Sequence, residues 1–205
     1  DVNALAWFKL AAEQKSAAAM HFIGAYTELG QAGIAQDNLV ALDSYKKSGE
    51  LGYTAGMTAA GRLYALGRGV SADGPEALRW LRRAAAANNY SAFQWIANVL
   101  EFGRGGTPKD AVVAYAWYAA IPANAPEAVV KNATAAKERL QKTLSAAELA
   151  EAEKQSKTVA LTNRAAVITG RIATLPGANG QPRTGVYGSG VVVSSAGDIV
   201  TNEHV

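Results

Sequence analysis

The apolar positions of this chain recur with the spacing of helices, and the helices recur with a longer spacing of their own. Ala77, Trp80, Leu81 and Ala84 follow the i, i+3, i+4, i+7 rule of a single buried helical face. Just ahead of them, the stretch from Gly61 to Val70, with Gly67-Arg68-Gly69 near its end, reads as the close of a first helix and a glycine turn. The same unit returns on both sides. The alanines that open each second helix, Ala4, Ala41, Ala77 and Ala114, lie 37, 36 and 37 residues apart. An aromatic follows each at a near-constant offset: Trp7 or Phe8, Tyr45, Trp80, and Trp117 or Tyr118.

Other positions keep the same period, and each has a physical reason. Asp37, Asp73 and Asp110 stand four residues before their alanines, where a carboxylate can accept unpaired backbone N–H groups and suits the helix dipole. Gly30, Gly67 and Gly103 fall where the first helix must stop in a left-handed turn. Gly24, Gly61 and Ala97 are small enough to let two helices touch. A lone helix pair leaves apolar faces open, so stability has to come from stacking units. The expected fold is mainly α: an α-solenoid of helix-turn-helix repeats of 36–37 residues over 1–124, its first unit partial.

Pro122 and Pro126 break the pattern. Helices are expected to resume at about 127–142 and 145–159, with Ser145 and Glu148 spaced as a capping box, and 125–160 reads as a cap over the end of the array. The composition then shifts. Val167-Ile168-Thr169 and Arg171-Ile172-Ala173 tolerate strands, and 176–182 is turn-forming, so 161–184 reads as a linker. The stretch 188–205 divides into an apolar strand, a turn of four or five residues holding Gly197, and a second strand, a β-hairpin pattern with a histidine at its end.

The period, together with Gly67-Arg68-Gly69-Val70 and Ala77-Leu78-Arg79-Trp80, resembles the Sel-one-like repeat family, relatives of the tetratricopeptide repeats. The likeness is close over 55–90, good over 17–54, where the loop Gly30-Gln31-Ala32-Gly33-Ile34 is one residue longer, and looser over 91–124. It implies a right-handed solenoid whose concave side binds a protein or peptide partner. On that reading the inner face of the first helices offers Arg62, Gln94 and Asn98 as binding residues, because packing does not call for polar side chains there.

A second likeness lies in the tail. Gly188-Ser189-Gly190, the hairpin pattern and Thr201-Asn202-Glu203-His204-Val205 resemble the opening of trypsin-like serine proteases of the bacterial high-temperature-requirement type. Residues 185–205 would then be the start of a truncated protease domain, the opening of an incomplete β-barrel. The resemblance implies that His204 is the general base. Neither the orienting aspartate nor the nucleophilic serine has a match, since Asp198 and Ser189, Ser194 and Ser195 all precede the histidine, whereas the family order is histidine, aspartate, serine. The chain as written is therefore expected to bind protein without cleaving it, while its parent acts as an endopeptidase. The alternative is a pure adaptor with no protease activity. The protease likeness points to a periplasmic or secreted setting, with the cytoplasm left open.

Composition narrows this further. A net charge of +3 with no long basic run argues against nucleic acid as a partner, and no apolar run approaches the roughly 18 residues of a membrane span. The chain has no cysteine, which removes disulfides, thiol catalysis and thiolate zinc sites. Asp1 leads directly into a helical pattern, as expected of a processed or cut N-terminus. No metal or cofactor is expected, because His21 reads as a residue at a repeat interface and only one other histidine exists. The four tryptophans read as core. Gly103-Arg104-Gly105-Gly106 lacks the ending of a phosphate loop, Asn132-Ala133-Thr134 falls in a helix, and Glu148 with Glu151 reads as a solvated helical face rather than a catalytic pair.

Overall fold

The computed structural model of the protein describes residues 2–173, 191–193 and 199–201. Within Asp1–Asn163, the first compact unit of the chain, helices pair in the order the period predicts. After α1 (Val2–Glu13) come three pairs: α2 (Ala17–Leu29) with α3 (Asn38–Glu50), α4 (Thr54–Leu66) with α5 (Gly74–Ala86), and α6 (Tyr90–Phe102) with α7 (Ala111–Ala119). Helices α8 (Glu127–Gln141) and α9 (Ala146–Ala173) follow.

The helix ends are built as the sequence suggests. Asp37 accepts from the backbone N–H groups of Leu39 and Val40 at 2.9 and 3.0 Å. Asp73 accepts from Glu76 and Asp110 from Val113, each at 2.9 Å. At the close of the first helices Gly30, Gly67 and Gly103 have φ of 64°, 64° and 67°, a region where a side chain would be strained. Ser145 and Glu148 exchange hydrogen bonds in both directions, the reciprocal box that opens α9. The caps of α2 and α6, Ser16 and Asn89, escape the period because α4 has Tyr53 there and no side-chain cap.

From α1 to α8, each helix packs on the next. Leu63, Ala77, Leu81, Ala84, Phe93 and Ile96 are among the residues of a core shared by α3 to α6, and Ala114, Tyr115, Ala133, Ala136 and Ala152 belong to a second core spanning α6 to α9. Burying each large apolar side chain contributes about 1.5–3 kcal/mol. At Gly61 an added Cβ would lie 2.6 Å from Leu81 Cγ and 3.0 Å from the Ala77 carbonyl, so the small residue does set the helix separation.

A further joint was not legible in the repeat pattern. A Cβ at Gly69 would lie 2.4 Å from the carbonyl carbon of Asn38, the first residue of α3. One period on, a Cβ at Gly105 would lie 2.2 Å from the nitrogen of Gly74, the first residue of α5. These two loops therefore rest backbone-to-backbone on the second helix of the unit before them, whereas Gly33 in the first loop has no such neighbour among the described residues. Gly105 lies in a short 3-10 turn, Arg104–Gly106.

Two expectations need correction. Trp80 is 1% exposed and packs by Gly49 and Met57, but Trp7, one of the tryptophans read as core, is 72% exposed. Among the described residues nothing supplies for α1 the preceding helix that α3 supplies for Trp80. The last helix, expected to end near 159, continues to Ala173, so 161–173 is helical where the composition suggested a linker. The β-branched residues there cost only fractions of a kcal/mol in a helix, roughly 0.7 or less each, and no proline follows Pro126 until Pro176.

The second unit is Arg164–Val205. In it β1 (Val191–Val193) pairs antiparallel with β2 (Ile199–Thr201), with Val191 opposite Thr201 and Val193 opposite Ile199. His204, Gly188-Ser189-Gly190 and the turn holding Gly197 lie outside the described residues.

Candidate protein-binding face

The first helices of three successive units present one face each to a common cavity. On α2 the positions are His21, Ala25, Glu28 and Leu29, and on α4 Ala55, Thr58, Ala59 and Arg62, both sets at helical spacing. Asn89 and Ser91 at the start of α6, Tyr45 from α3 and Arg68 from the loop after α4 complete a cavity of about 540 Å³. Asn89 is held there by its amide, which donates to the Thr54 hydroxyl at 3.1 Å.

Glu28 is the anchor of this cavity, 6% exposed. Arg62 donates to it through both terminal nitrogens, 2.7 Å at Oε1 and 2.5 Å at Oε2. The Tyr45 hydroxyl donates to Oε2 at 2.9 Å, and Arg68 stands 3.7 Å from Oε1. Burial alone would raise the carboxyl's pKa. The Arg62 hydrogen bonds and charge, the Tyr45 hydroxyl and the charge of Arg68 outweigh it and hold Glu28 below the usual carboxylate range. Burial, with the Glu28 charge beside it, pushes the Tyr45 phenol well above its usual range, so it stays a donor.

His21 packs against Tyr45 and Tyr53, ring centroids 5.3 and 5.4 Å away, and among the described residues its Nδ1 is buried without a partner. Burial, then the charge of Arg62, lowers its pKa against an opposing pull from Glu28. The cavity wall thus favours the neutral form of the ring.

The cluster has a counterpart two units on. Glu101 holds the place in α6 that Glu28 holds in α2, and Tyr118 the place in α7 that Tyr45 holds in α3. Tyr118 donates to Glu101 at 3.1 Å, and Arg139 from α8 donates to both of its oxygens at 2.9 Å. In the middle unit Ala65 and Leu81 stand at these places, both buried.

A smaller cavity of about 290 Å³ lies between α1 and α2, lined by Ala4, Phe8, Phe22, Ala25, Tyr26 and Gln31. Phe8 stacks on Phe22 with centroids 4.8 Å apart. Ala25 belongs to both cavities.

Of the residues expected to bind a partner, only Arg62 lines the larger cavity. Packing does call for it, since it neutralises a buried carboxylate, and that corrects the premise on which it was chosen. Asn98 accepts from Arg104 Nε at 2.5 Å, and Gln94 is half-buried on α6 outside the cavity lining. Sequence reasoning missed Glu28, Tyr45 and Arg68. The recurrence of glutamate and tyrosine at Glu28/Glu101 and Tyr45/Tyr118 was the available signal.

Paired helices repeating through residues 2–119, each unit resting on the last, define an α-solenoid repeat protein. The Sel1 repeat matches residues 1–16, 17–53, 54–89 and 94–120, and the chain belongs to the Sel1 repeat family. Among the solved structures similar to it are two that illustrate the likeness. One, described as a protective antigen present in uropathogenic Escherichia coli strains displaying an SLR fold, superposes with a TM-score of 0.67 at 24% identity. It covers 85% of this chain and 36% of that one, and the likeness speaks to the fold alone. The other, a Sel1 repeat protein from Oxalobacter formigenes, has a TM-score of 0.55 at 26% identity over 75% of this chain and 63% of that one. The chain thus spans less than two thirds of either structure. No curated protein matches it. The family match ends at residue 120, and among the described residues no helix is long and apolar enough to cross a membrane.

Proposed function

We propose that this chain is a protein-interaction scaffold whose working surface is the face shared by α2, α4 and α6. The observation that carries this is the larger cavity itself, formed by side chains of three successive units and lined by charged and polar groups that sit beside exposed Leu29. A surface spread over several units reads an extended partner, which is how stacked repeats recognise protein. Helices α8 and α9 act as the cap of the array. A photo-crosslinking residue at Leu29 should capture a partner that the same residue at Arg82, exposed on α5, does not. Capture from Arg82 alone would move the surface to the second helices.

The scaffold serves a parent protein in which 185–205 opens a trypsin-like serine endopeptidase domain. The pairing of Val191–Val193 with Ile199–Thr201 supports this, because it forms the hairpin that precedes the histidine in the resembled proteases. His204 is then the general base, and the solenoid brings substrate or partner to the protease. Labelling of the parent by a serine-reactive fluorophosphonate, lost in His204→Ala, is the expected result. A parent that never labels would leave the pure adaptor.

A further inference from the structure

The charge of the larger cavity does not cancel. Glu28 accepts two parallel hydrogen bonds from Arg62 and a third from the Tyr45 hydroxyl. Arg68, also in the lining, is 3.7 Å from Glu28, beyond hydrogen-bond reach, and its side chain is 53% exposed. One carboxylate therefore faces two guanidinium groups, and the donors of the second are open to a ligand.

The position of Arg68 also belongs to a row. Gln31, Arg68 and Arg104 each directly follow the glycine that ends a first helix. Gln31 lines the smaller cavity, Arg68 the larger, and Arg104 donates to Asn98. Among the described residues no carboxylate pairs with Arg104. The row is polar to basic along its length and carries no acid. Beside it, the smaller cavity is walled by the stacked Phe8 and Phe22 and meets the larger one at Ala25.

Resting on the reading of this face as a protein-binding surface, we infer that its occupant is an acidic peptide segment, whose carboxylate side chain meets Arg68 in the larger cavity while a neighbouring apolar side chain fills the smaller cavity beside Phe22. A carboxylate gains charge-assisted hydrogen bonds from a guanidinium that lacks a close partner. A lysine or arginine in the same place would face Arg62 and Arg68 with Glu28 already engaged. The aromatic walls supply the apolar contact that a charge pair in water lacks.

The probes are fluorescein-labelled decapeptides of serine and alanine with one glutamate and one phenylalanine set one to four residues apart. They are titrated against the full 205-residue chain by anisotropy. At the best spacing, replacing the peptide glutamate by glutamine should weaken binding about tenfold at low salt and less at high salt. Arg68→Gln should abolish that discrimination, and Phe22→Ala should abolish the preference for phenylalanine over alanine. Both residues are exposed, so the fold tolerates the changes. Equal binding of the glutamine peptide, discrimination that survives Arg68→Gln, or no binding by any spacing would overturn the inference. If Leu29 still crosslinks a partner in that case, the surface stands and only its acidic specificity falls.

Discussion

Glu28 in the first complete unit and Arg62 in the second are joined by two parallel hydrogen bonds across 34 residues of sequence, inside a site where the carboxylate is almost wholly enclosed. The pair ties α2 to α4 and at the same time floors the larger cavity.

Arg62→Met should therefore cost about 1–3 kcal/mol, because it strands a buried charge. Glu28→Gln should cost a similar amount. The double variant should lose less than the two single losses combined, since replacing both partners removes the unpaired charge. Urea denaturation of the four proteins measures this, and strict additivity would show that the two side chains do not act together.

Stability should fall with acid in two stages. His21 has its folded pKa below the ordinary 6.5, so its contribution is complete above that value and is lost as pH falls through the lowered one. Glu28 is also depressed, from an ordinary 4.5, so its contribution is complete above 4.5 and is lost further down. Melting temperature between pH 8 and 3 should show both limbs. His21→Phe should flatten the upper one and leave the lower.

Gly69→Ala and Gly106→Ala separate conformational strain from loss of the joint between units. Both glycines have left-handed φ, 80° and 76°, but only Gly69 has backbone within reach of a new Cβ. Gly106→Ala should cost about 1–2 kcal/mol. Gly69→Ala should cost about 1–3 kcal/mol more, from the added contact with Asn38. Equal melting shifts would remove the joint as an explanation.

Tryptophan fluorescence should report two environments. Trp7→Phe should remove the component most open to acrylamide, and Trp80→Phe one that is shielded. A single quenching constant unchanged by Trp7→Phe would contradict the exposure of Trp7.

How legible these features were depends on whether they repeat. Asp37, Asp73 and Asp110, or Gly30, Gly67 and Gly103, recur in every complete unit and act through local backbone geometry, so a period alone locates them. Glu28 recurs only at Glu101, with apolar Ala65 between, and its arginines come from different places, Arg62 on α4 and Arg139 on α8. The arginine half of such a cluster is assembled by packing between units and leaves no fixed spacing to read, whereas its glutamate and tyrosine stand 17 residues apart in both copies. Trp7 kept the repeat position yet not its burial, because burial depends on a neighbouring helix and not on the residue itself.

The contacts of Gly69 with Asn38 and of Gly105 with Gly74 are made almost entirely of main-chain atoms. A seam of that kind asks little of the side chains on either side. A duplication or deletion of one whole repeat in register would carry both halves of the seam with it and leave every remaining joint intact. Length can then change in steps of one cassette, while the acid-and-arginine clusters, which occupy only some cassettes, decide which stretches of the array carry a specific cavity.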